Sequence, residues 1–179
     1  MLKSNKILYS KGKNDECYTP IEGVLPILKY IPKDKIIWCP FDTEESHFVK
    51  EISKTNKVIK SHIGEGKDFF EYEPEEWDIL ISNPPFTRKL EVLERLYKLN
   101  KPFAMILGLP ILNYQEIGNF FLDKELQLLI VDKKVSFDGN TASFNNSYFC
   151  HKMLSRDIIF EHLENNNSNK YFKKSRMSK

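Results

Sequence analysis

Residues 78–86 read DILISNPPF, and this stretch decides how we interpret the chain. The letters DILIS are apolar enough to form a buried strand, and they lead directly into Asn83, Pro84, Pro85 and Phe86. A proline fixes its own φ, has no N–H to donate, and biases the residue before it away from the helical region. We therefore predict a stiff, extended segment at the carboxyl end of a strand.

The sequence on both sides of this stretch alternates between strand and helix patterns. Upstream, CYTPIEGVLPILKYIP ends in a helical pattern, and the predicted strands KIIWCPF and KVIKSHI enclose a helix in EESHFVKEISKTN. Downstream, residues 88–100 predict a helix in which Glu91 and Arg95 form an i,i+4 pair. The strand PFAMILGLP, a helix in YQEIGNFFLDKE, the strand LQLLIVD and one or two closing strands in SYFCHKML and RDIIFEHL follow. This order predicts an α/β fold with a single doubly wound, mostly parallel sheet flanked by helices.

Two segments that contain proline fall at predicted strand ends in this fold. The letters CPFD at residues 39–42 and SNPPF at residues 82–86 each follow a predicted strand. Open α/β sheets bind ligands outside the carboxyl ends of their strands, near the point where the strand order reverses. The sequence therefore predicts that these two segments lie where the chemistry takes place.

Length and composition predict one ordinary domain. The chain has 179 residues, of which 41% are hydrophobic. Its longest apolar run, FAMILGLPIL, is interrupted by Gly108 and Pro110, so no segment has the roughly 18 residues expected of a membrane span. The start MLKSNKILYSKGK lacks the features of a secretory signal. We expect a cytoplasmic protein.

The cysteines predict neither a disulfide framework nor a metal site. Cys17, Cys39 and Cys150 are far apart and have none of the paired spacings of zinc sites. The adjacent Cys150 and His151 have no second cluster to complete a ligand set. We predict free thiols and no bound metal.

The positive charge is concentrated at the ends of the chain. Residues 1–14 carry four lysines and no acid, and residues 165–179 carry four lysines, one arginine and no acid. The interval 15–164 therefore has 18 basic and 25 acidic residues, a net charge of −7. We interpret the ends as a basic lead and a basic, mobile tail around one domain. An arm that binds nucleic acid is the alternative interpretation of the tail.

The tetrapeptide Asn83-Pro84-Pro85-Phe86 resembles the signature of S-adenosylmethionine-dependent amino-methyltransferases, which methylate the exocyclic nitrogen of adenine or cytosine. The Asn-Pro-Pro-Phe form is more typical of the adenine-N6 enzymes and their protein-methylating relatives. The resemblance implies a Rossmann-like methyltransferase fold and the cofactor S-adenosylmethionine. Within this group, the chain resembles the small adenine methyltransferases of phages and mobile elements.

The resemblance also implies a role for each residue of the signature. Asn83, through its side-chain oxygen, and Pro84, through its carbonyl, would accept the two amine hydrogens, while Phe86 stacks on the extruded base. Pro85 would keep the carbonyl aimed. The segment KKVSFDG resembles a further contact to the base, with Phe137 as its candidate residue, although a core position is the alternative for this side chain.

Two more segments resemble cofactor-binding motifs of the family, in the expected order. The letters DECYTP resemble the motif that holds the methionine part of the cofactor, which implies roles for Tyr18, Thr19 and Pro20 at a helix N-terminus. The letters GKDFF resemble the loop in which Asp68 accepts from the adenine amine and Phe69 packs on the ring. The alternatives are a helix N-cap for Thr19 and an ordinary loop carboxylate for Asp68.

The first two strands depart from the family pattern. The first strand of the family ends in an acid and a glycine-rich turn, whereas this chain has Pro40, Phe41 and Asp42 and no glycine. Asp42 remains a candidate for a polar group of the cofactor. After the second strand, His62 stands where related enzymes often have an acid for the ribose hydroxyls, and it would bind them more weakly.

The preferred interpretation is methyl transfer to the exocyclic amine of adenine in nucleic acid, with DNA preferred to RNA as the polymer. A methyltransferase-like protein that binds nucleic acid or a host defence component without transfer is the main alternative. Methylation of a protein glutamine is a third. About 30 residues follow Cys150, too few for a recognition domain, so target specificity would come from loops, from a partner subunit, or not at all.

Overall fold

A computed structural model describes residues 19–85, 87–136 and 143–163 of the chain. Within these ranges seven strands form one sheet, and two short strands form a separate hairpin. The strands of the sheet are β1 (Ile36–Cys39), β2 (Lys57–Lys60), β3 (Ile79–Ser82), β4 (Phe103–Gly108), β5 (Gln127–Val131), β8 (Asn146–His151) and β9 (Ile158–Glu161). The hairpin consists of β6 (Val135–Ser136) and β7 (Ser143–Phe144). The helices are α1 (Ile21–Leu28), α2 (His47–Ile52), α3 (Lys89–Leu99) and α4 (Gln115–Phe121), and 3-10 turns cover Ile63–Glu65 and Leu109–Asn113.

The strand order is β2-β1-β3-β4-β8-β5-β9. Neighbouring strands are parallel except at β8, which runs antiparallel to both β4 and β5. Six strands therefore point one way and β8 points the other, which confirms the predicted mostly parallel sheet. The chain passes from β1 to its neighbour β2 and then returns to the other side of β1 to form β3. The strand order reverses between β1 and β3, and this is the switch point of the sheet.

Helices cover both faces of the sheet, as expected for a doubly wound fold. On one face, Val24 and Ile27 of α1 and Phe48 of α2 share a buried cluster with Ile37 of β1. On the other face, the helix α3 and the loop before β3 bury their apolar side chains with Trp38. Alternate residues of β1 thus enter opposite layers, because successive side chains of a strand point to opposite faces.

The start of α1 is held closely against the sheet. The Tyr148 hydroxyl, buried on β8, donates to the Gly23 carbonyl at 2.6 Å. A Cβ atom at Gly23 would lie 2.9 Å from Thr19 Cγ2 and 3.2 Å from Val135 Cγ1, so only glycine fits at this position without movement of its neighbours. The Ile106 side chain of β4 would lie 3.8 Å from the same Cβ atom, which is an ordinary contact.

The predicted helix and strand positions agree with the structure at each large element, and two details differ. The expected pair of Glu91 and Arg95 is wrong, because Glu91 pairs with Arg88 and Arg95 donates to the carbonyls of Phe70 and Tyr72. The β6–β7 hairpin was not expected, since each of its strands has two residues and gives no periodic signal.

Several predictions fall outside the described residues. These are the basic lead, the basic tail and the residues Tyr18, Phe86 and Phe137. The limits of the domain at residues 15 and 164 stay a prediction. In the described part of the chain, no helix is long and apolar enough to cross a membrane. Among the same residues, no group of three or more His, Cys, Asp or Glu side chains is placed to hold a metal ion.

Candidate active site

The carboxyl ends of β1, β2 and β3 meet at the switch point. The Ser61 amide, just after β2, donates to the Cys39 carbonyl at 3.0 Å, and the Asp42 amide donates to the Ser61 carbonyl at 3.3 Å. The Trp38 indole also donates to the Ser61 hydroxyl at 2.9 Å. These bonds hold the turn of residues 40–42 at the end of the sheet although it contains no glycine.

The Asp42 carboxylate links three segments at this end of the sheet. Ser82, the last residue of β3, donates its hydroxyl to Asp42 Oδ2, and Ser46 donates its hydroxyl to Asp42 Oδ1. Ser46 is the N-cap of α2, where its hydroxyl oxygen accepts from the Phe48 amide at 3.1 Å. The Asp42 side chain is 5% exposed. Burial raises the pKa of the Asp42 carboxyl to about 6, although the two serine hydrogen bonds act to lower this pKa.

The Asn-Pro-Pro bend begins directly after Ser82. Asn83 is half-buried, Pro84 is buried and Pro85 is exposed, so the bend leads from the core to the surface. Because each of the first two residues precedes a proline, both are biased toward extended backbone. The bend is therefore accessible from solvent and rigid, as the sequence predicts.

A cavity of about 280 Å³ is lined by residues that follow the bend in the chain, beginning with Thr87. The start of α3 and the start of α4 line it, with residues 87–91, Tyr114, Glu116 and Ile117. The side chain of Lys89 is half-buried in this region, and desolvation lowers the pKa of its ammonium group. A concave surface with both basic and acidic groups thus begins shortly after the predicted catalytic segment in the chain.

The loop that contains Asp68 and Phe69 lies beside the turn of residues 40–42. Phe69 is 2% exposed, and its ring packs against Phe41 at a centroid distance of 4.8 Å and against Trp38 at 5.7 Å. Asp68 Oδ1 accepts from the Phe70 amide at 3.0 Å. The structure therefore brings Phe41 and Phe69 together and uses one oxygen of Asp68 to close its own turn.

Two arginines, one at the N-cap of α3 and one within it, fasten this loop to that helix. The Arg88 guanidinium lies 3.7 Å from the centroid of the Phe70 ring. Arg95 donates to the carbonyls of Phe70 at 3.1 Å and Tyr72 at 3.2 Å. Sequence reasoning missed both roles, although the seven-residue spacing of the arginines places them on one side of a helix and was a usable signal.

Thr19 lies immediately before α1. Its side chain is 3% exposed, and its Oγ1 has no hydrogen-bond partner among the described residues. Pro20 is the N-cap of α1 and provides no side-chain cap, so the alternative interpretation of Thr19 as the N-cap is wrong. A buried hydroxyl without a partner is uncommon, and its position at a helix start suits a polar ligand.

His62 follows Ser61 at the end of β2 and is half-buried. Its Nδ1 accepts from the Gly64 amide at 3.1 Å and caps the 3-10 turn of Ile63–Glu65. His62 is also one of the groups that partly offset the effect of burial, which raises the pKa of the Asp42 carboxyl. The structure therefore places this histidine near the switch point.

No family model and no curated protein matches the sequence. The methyltransferase subunit of a type I restriction-modification system from Streptococcus thermophilus is similar in structure, with a TM-score of 0.51 and 10% identity, over 81% of this chain and 46% of that one. A modification subunit assigned to a type I restriction enzyme from Vibrio vulnificus YJ016 has a TM-score of 0.49 and 12% identity, over 93% of this chain and 51% of that one.

The chain spans about half the length of these two proteins. At 10% identity, the likeness to the Streptococcus thermophilus subunit concerns the fold and not the residues of the site. Together with the observed sheet order, it confirms the predicted fold class. The chain has an α/β, Rossmann-like methyltransferase fold.

Proposed function

We propose that this protein transfers a methyl group from S-adenosylmethionine to the exocyclic amine N6 of adenine in a nucleic acid, with DNA as the preferred polymer. One observation carries the proposal. The segment Asn83-Pro84-Pro85 leaves β3 at the switch point of a methyltransferase fold, reaches solvent at its last residue, and is followed in the chain, from Thr87 onward, by residues that line a cavity. Ligands of open α/β sheets bind at this position.

The residues of the bend suit a weakly nucleophilic amine. The lone pair of an adenine amine is delocalised into the ring, so attack requires the nitrogen to become tetrahedral. Asn83 Oδ1 and the Pro84 carbonyl would each accept one amine hydrogen, which holds the lone pair out of the ring plane. The prolines that follow restrict the backbone that carries both acceptors before the substrate arrives. Pro85 stiffens the bend, and we assign base stacking to Phe86 and a further base contact to Phe137, both outside the described residues.

The residues around the switch point fit the proposed cofactor. When bound, S-adenosylmethionine supplies an activated methyl group on its sulfonium. The Thr19 hydroxyl, which has no hydrogen-bond partner among the described residues, and the first N–H groups of α1 would receive its carboxylate. Asp68 would accept from its adenine amine beside the paired rings of Phe41 and Phe69. The other proposed contacts are Tyr18, Pro20, Pro40, Asp42 and His62.

A lysine beside the bend supports a nucleic acid as the substrate. Lys89 lines the cavity that follows Pro85, together with Glu116 and with Arg88, which is paired with Glu91. Burial disfavours the charged form of Lys89, and a nearby phosphate would restore it. The similar Streptococcus thermophilus protein is a methyltransferase subunit of a restriction-modification system. We therefore propose DNA as the polymer and a partner protein as a source of target recognition.

The proposal is tested by incubating the protein with S-adenosylmethionine labelled in the methyl group and with unmethylated DNA and RNA. The polymers are digested to nucleosides, and the labelled product is identified by mass spectrometry. We expect labelled N6-methyladenine from DNA. A folded protein that binds the cofactor in calorimetry and labels no polymer would contradict the proposed reaction.

A second candidate function is nucleic-acid binding without transfer. The observation that favours it is the turn of residues 40–42, which has no glycine and whose acid, Asp42, is buried and bonded to two serines. Calorimetry separates the two functions. Retained nucleic-acid binding together with no measurable binding of S-adenosylmethionine would favour the second.

A further inference from the structure

The carboxylate of Asp42 crosses the switch point and is bonded to the residue before the proposed catalytic asparagine. Ser82 donates to Asp42 Oδ2 from the end of β3, while Asp42 itself follows β1. The Ser82 side chain is fully buried. The hydrogen bond therefore joins two parts of the chain that are 40 residues apart.

We infer that Asp42 is a positioning residue, which fixes the direction of Asn83 through Ser82 and changes that direction when its carboxyl gains or loses a proton. This inference rests on the proposed function only for its effect on methyl transfer. Its effect on the structure of the bend is independent of any reaction.

The geometry explains how the link acts. Ser82 and Asn83 are consecutive, and the proline after Asn83 biases it toward extended backbone. In extended backbone, successive side chains point to opposite sides. The β3–β4 ladder pairs Ser82 with Met105, and the bond to Asp42 adds a fixed side-chain direction at this last residue of the strand. A Ser82 side chain tied to Asp42 therefore helps to hold the side chain of Asn83 on the opposite side, and a change in this bond alters the setting of the peptide that joins the two residues.

The proton on Asp42 decides how many serines it can bind as an acceptor. An ionised carboxylate accepts from both serine hydroxyls, whereas a protonated carboxyl has one O–H that itself needs an acceptor. One of the two serines must then accept from this O–H and turn its own hydrogen toward another acceptor. Ser46 already accepts from the Phe48 amide and is held as the N-cap of α2, so we expect the bond to Ser82 to change.

Other titratable groups face Asp42, and the experiment must distinguish their titrations from that of Asp42. These are Cys39 on β1, Tyr148 on β8 and His62 after β2. Burial raises the pKa of both the Cys39 thiol and the Tyr148 hydroxyl, so both remain protonated near neutral pH. Histidines commonly titrate between pH 5 and 8, so the experiment uses a His62→Gln parent.

The test follows the NMR signals of Asn83 between pH 4.5 and 8 in this parent, while the carboxyl carbon of Asp42 reports its own titration. Ser46→Ala is the matched control for Ser82→Ala, because each removes one hydroxyl donor from the same carboxylate. We expect both amide signals of Asn83 to follow the Asp42 titration in the parent and in Ser46→Ala. In Ser82→Ala the hydrogen bond from residue 82 to Asp42 is missing. We therefore expect the pH-dependent shift of the Asn83 signals to fall to less than about a third of its parent value.

Equal Asn83 shifts in Ser82→Ala and Ser46→Ala would overturn the inference, as would a parent in which Asn83 does not follow Asp42. Should Ser82→Ala fail to fold, Asp42→Asn and Ser82→Thr decide it. The first should abolish the titration of the Asn83 signals, and the second, which keeps a hydroxyl, should retain it. The opposite result in either variant would contradict the inference.

Methyl transfer gives a second measurement of the same link. Transfer is measured at saturating S-adenosylmethionine, because the His62→Gln parent lacks one proposed contact to the cofactor. Under this condition we expect kcat in the parent to fall on acidification through the Asp42 titration while KM for the nucleic acid stays constant. Ser82→Ala should lower kcat by about 10- to 100-fold, as expected for a misplaced reacting group, and Ser46→Ala should lower it far less. A protein without transfer would refute the proposed function, and the NMR titration would still decide the inference about Asp42.

Discussion

The buried carboxyl of Asp42 predicts an unusual dependence of stability on pH. Burial raises its pKa from 3.8 to about 6. The folded state then holds the proton more tightly than the unfolded chain, so the stabilising contribution is full below pH 3.8 and is lost as the pH rises through 6. The shift corresponds to roughly 3 kcal/mol, at about 1.36 kcal/mol for each pKa unit. Of this amount, about 2.5 kcal/mol is lost between roughly pH 4 and 8.

The substitution Asp42→Asn isolates this contribution. Asparagine has nearly the same shape, its oxygen can accept from one serine, and its amide can donate to the hydroxyl oxygen of the other. It does not ionise. Other acids, such as Asp78 and Asp132, have lowered pKa values and make the protein less stable in acid, but they are present in both proteins and cancel in the difference.

The assay is urea unfolding of both proteins at several pH values between about 4 and 8. We expect the free energy of unfolding of the wild type, minus that of Asp42→Asn, to decrease by about 2.5 kcal/mol across this range, with half of the decrease complete at roughly pH 5, between the unfolded and folded pKa values. A difference that stays constant to within about 0.5 kcal/mol would mean that the carboxyl titrates normally. The description of a buried carboxylate at the switch point would then be refuted.

Three further predictions concern the packing around the sheet. Gly23→Ala should destabilise the protein by about 1–3 kcal/mol in urea unfolding, because its Cβ would lie within 3 Å of a neighbour, whereas the matched change Gly118→Ala, with ordinary contacts, should stabilise by about 0.5–1 kcal/mol; equal effects would contradict the packing. Cys39 and Cys150 should resist iodoacetamide in the native protein, as mapped by mass spectrometry, because burial raises the pKa of both thiols. Desolvation lowers the pKa of His151, so its contribution to stability should be lost below pH 6.5, and His151→Gln should reduce the loss of stability between about pH 7 and 5.

The main elements of the fold could be predicted from the sequence because their signals are local. The strand β3 and the bend after it are visible in nine letters, since an apolar run followed by two prolines restricts the backbone by itself. The helix α3 is similarly visible through the spacing of its leucines. Their alternation is sufficient to predict a doubly wound sheet and the position of the site at its carboxyl edge.

The contacts that organise the site could not be predicted, because they join distant residues. The bonds of Asp42 to Ser46 and Ser82 depend on the order in which the strands pair. The same is true of Arg95, which local spacing assigns to a glutamate on its own helix. In the structure it binds the carbonyls of the loop at Phe70 and Tyr72 instead. Long-range partners thus replaced the local one.

The most direct test of the proposed function is the single-turnover rate of methyl transfer to adenine in DNA, measured for the wild type and for Asn83→Ala. We predict that Asn83→Ala keeps its fold and its affinity for S-adenosylmethionine but transfers the methyl group at least about 100-fold more slowly, because it lacks one of the two fixed acceptors. A wild-type protein that forms N6-methyladenine, with a variant that transfers at the same rate, would contradict the role of the Asn-Pro-Pro bend.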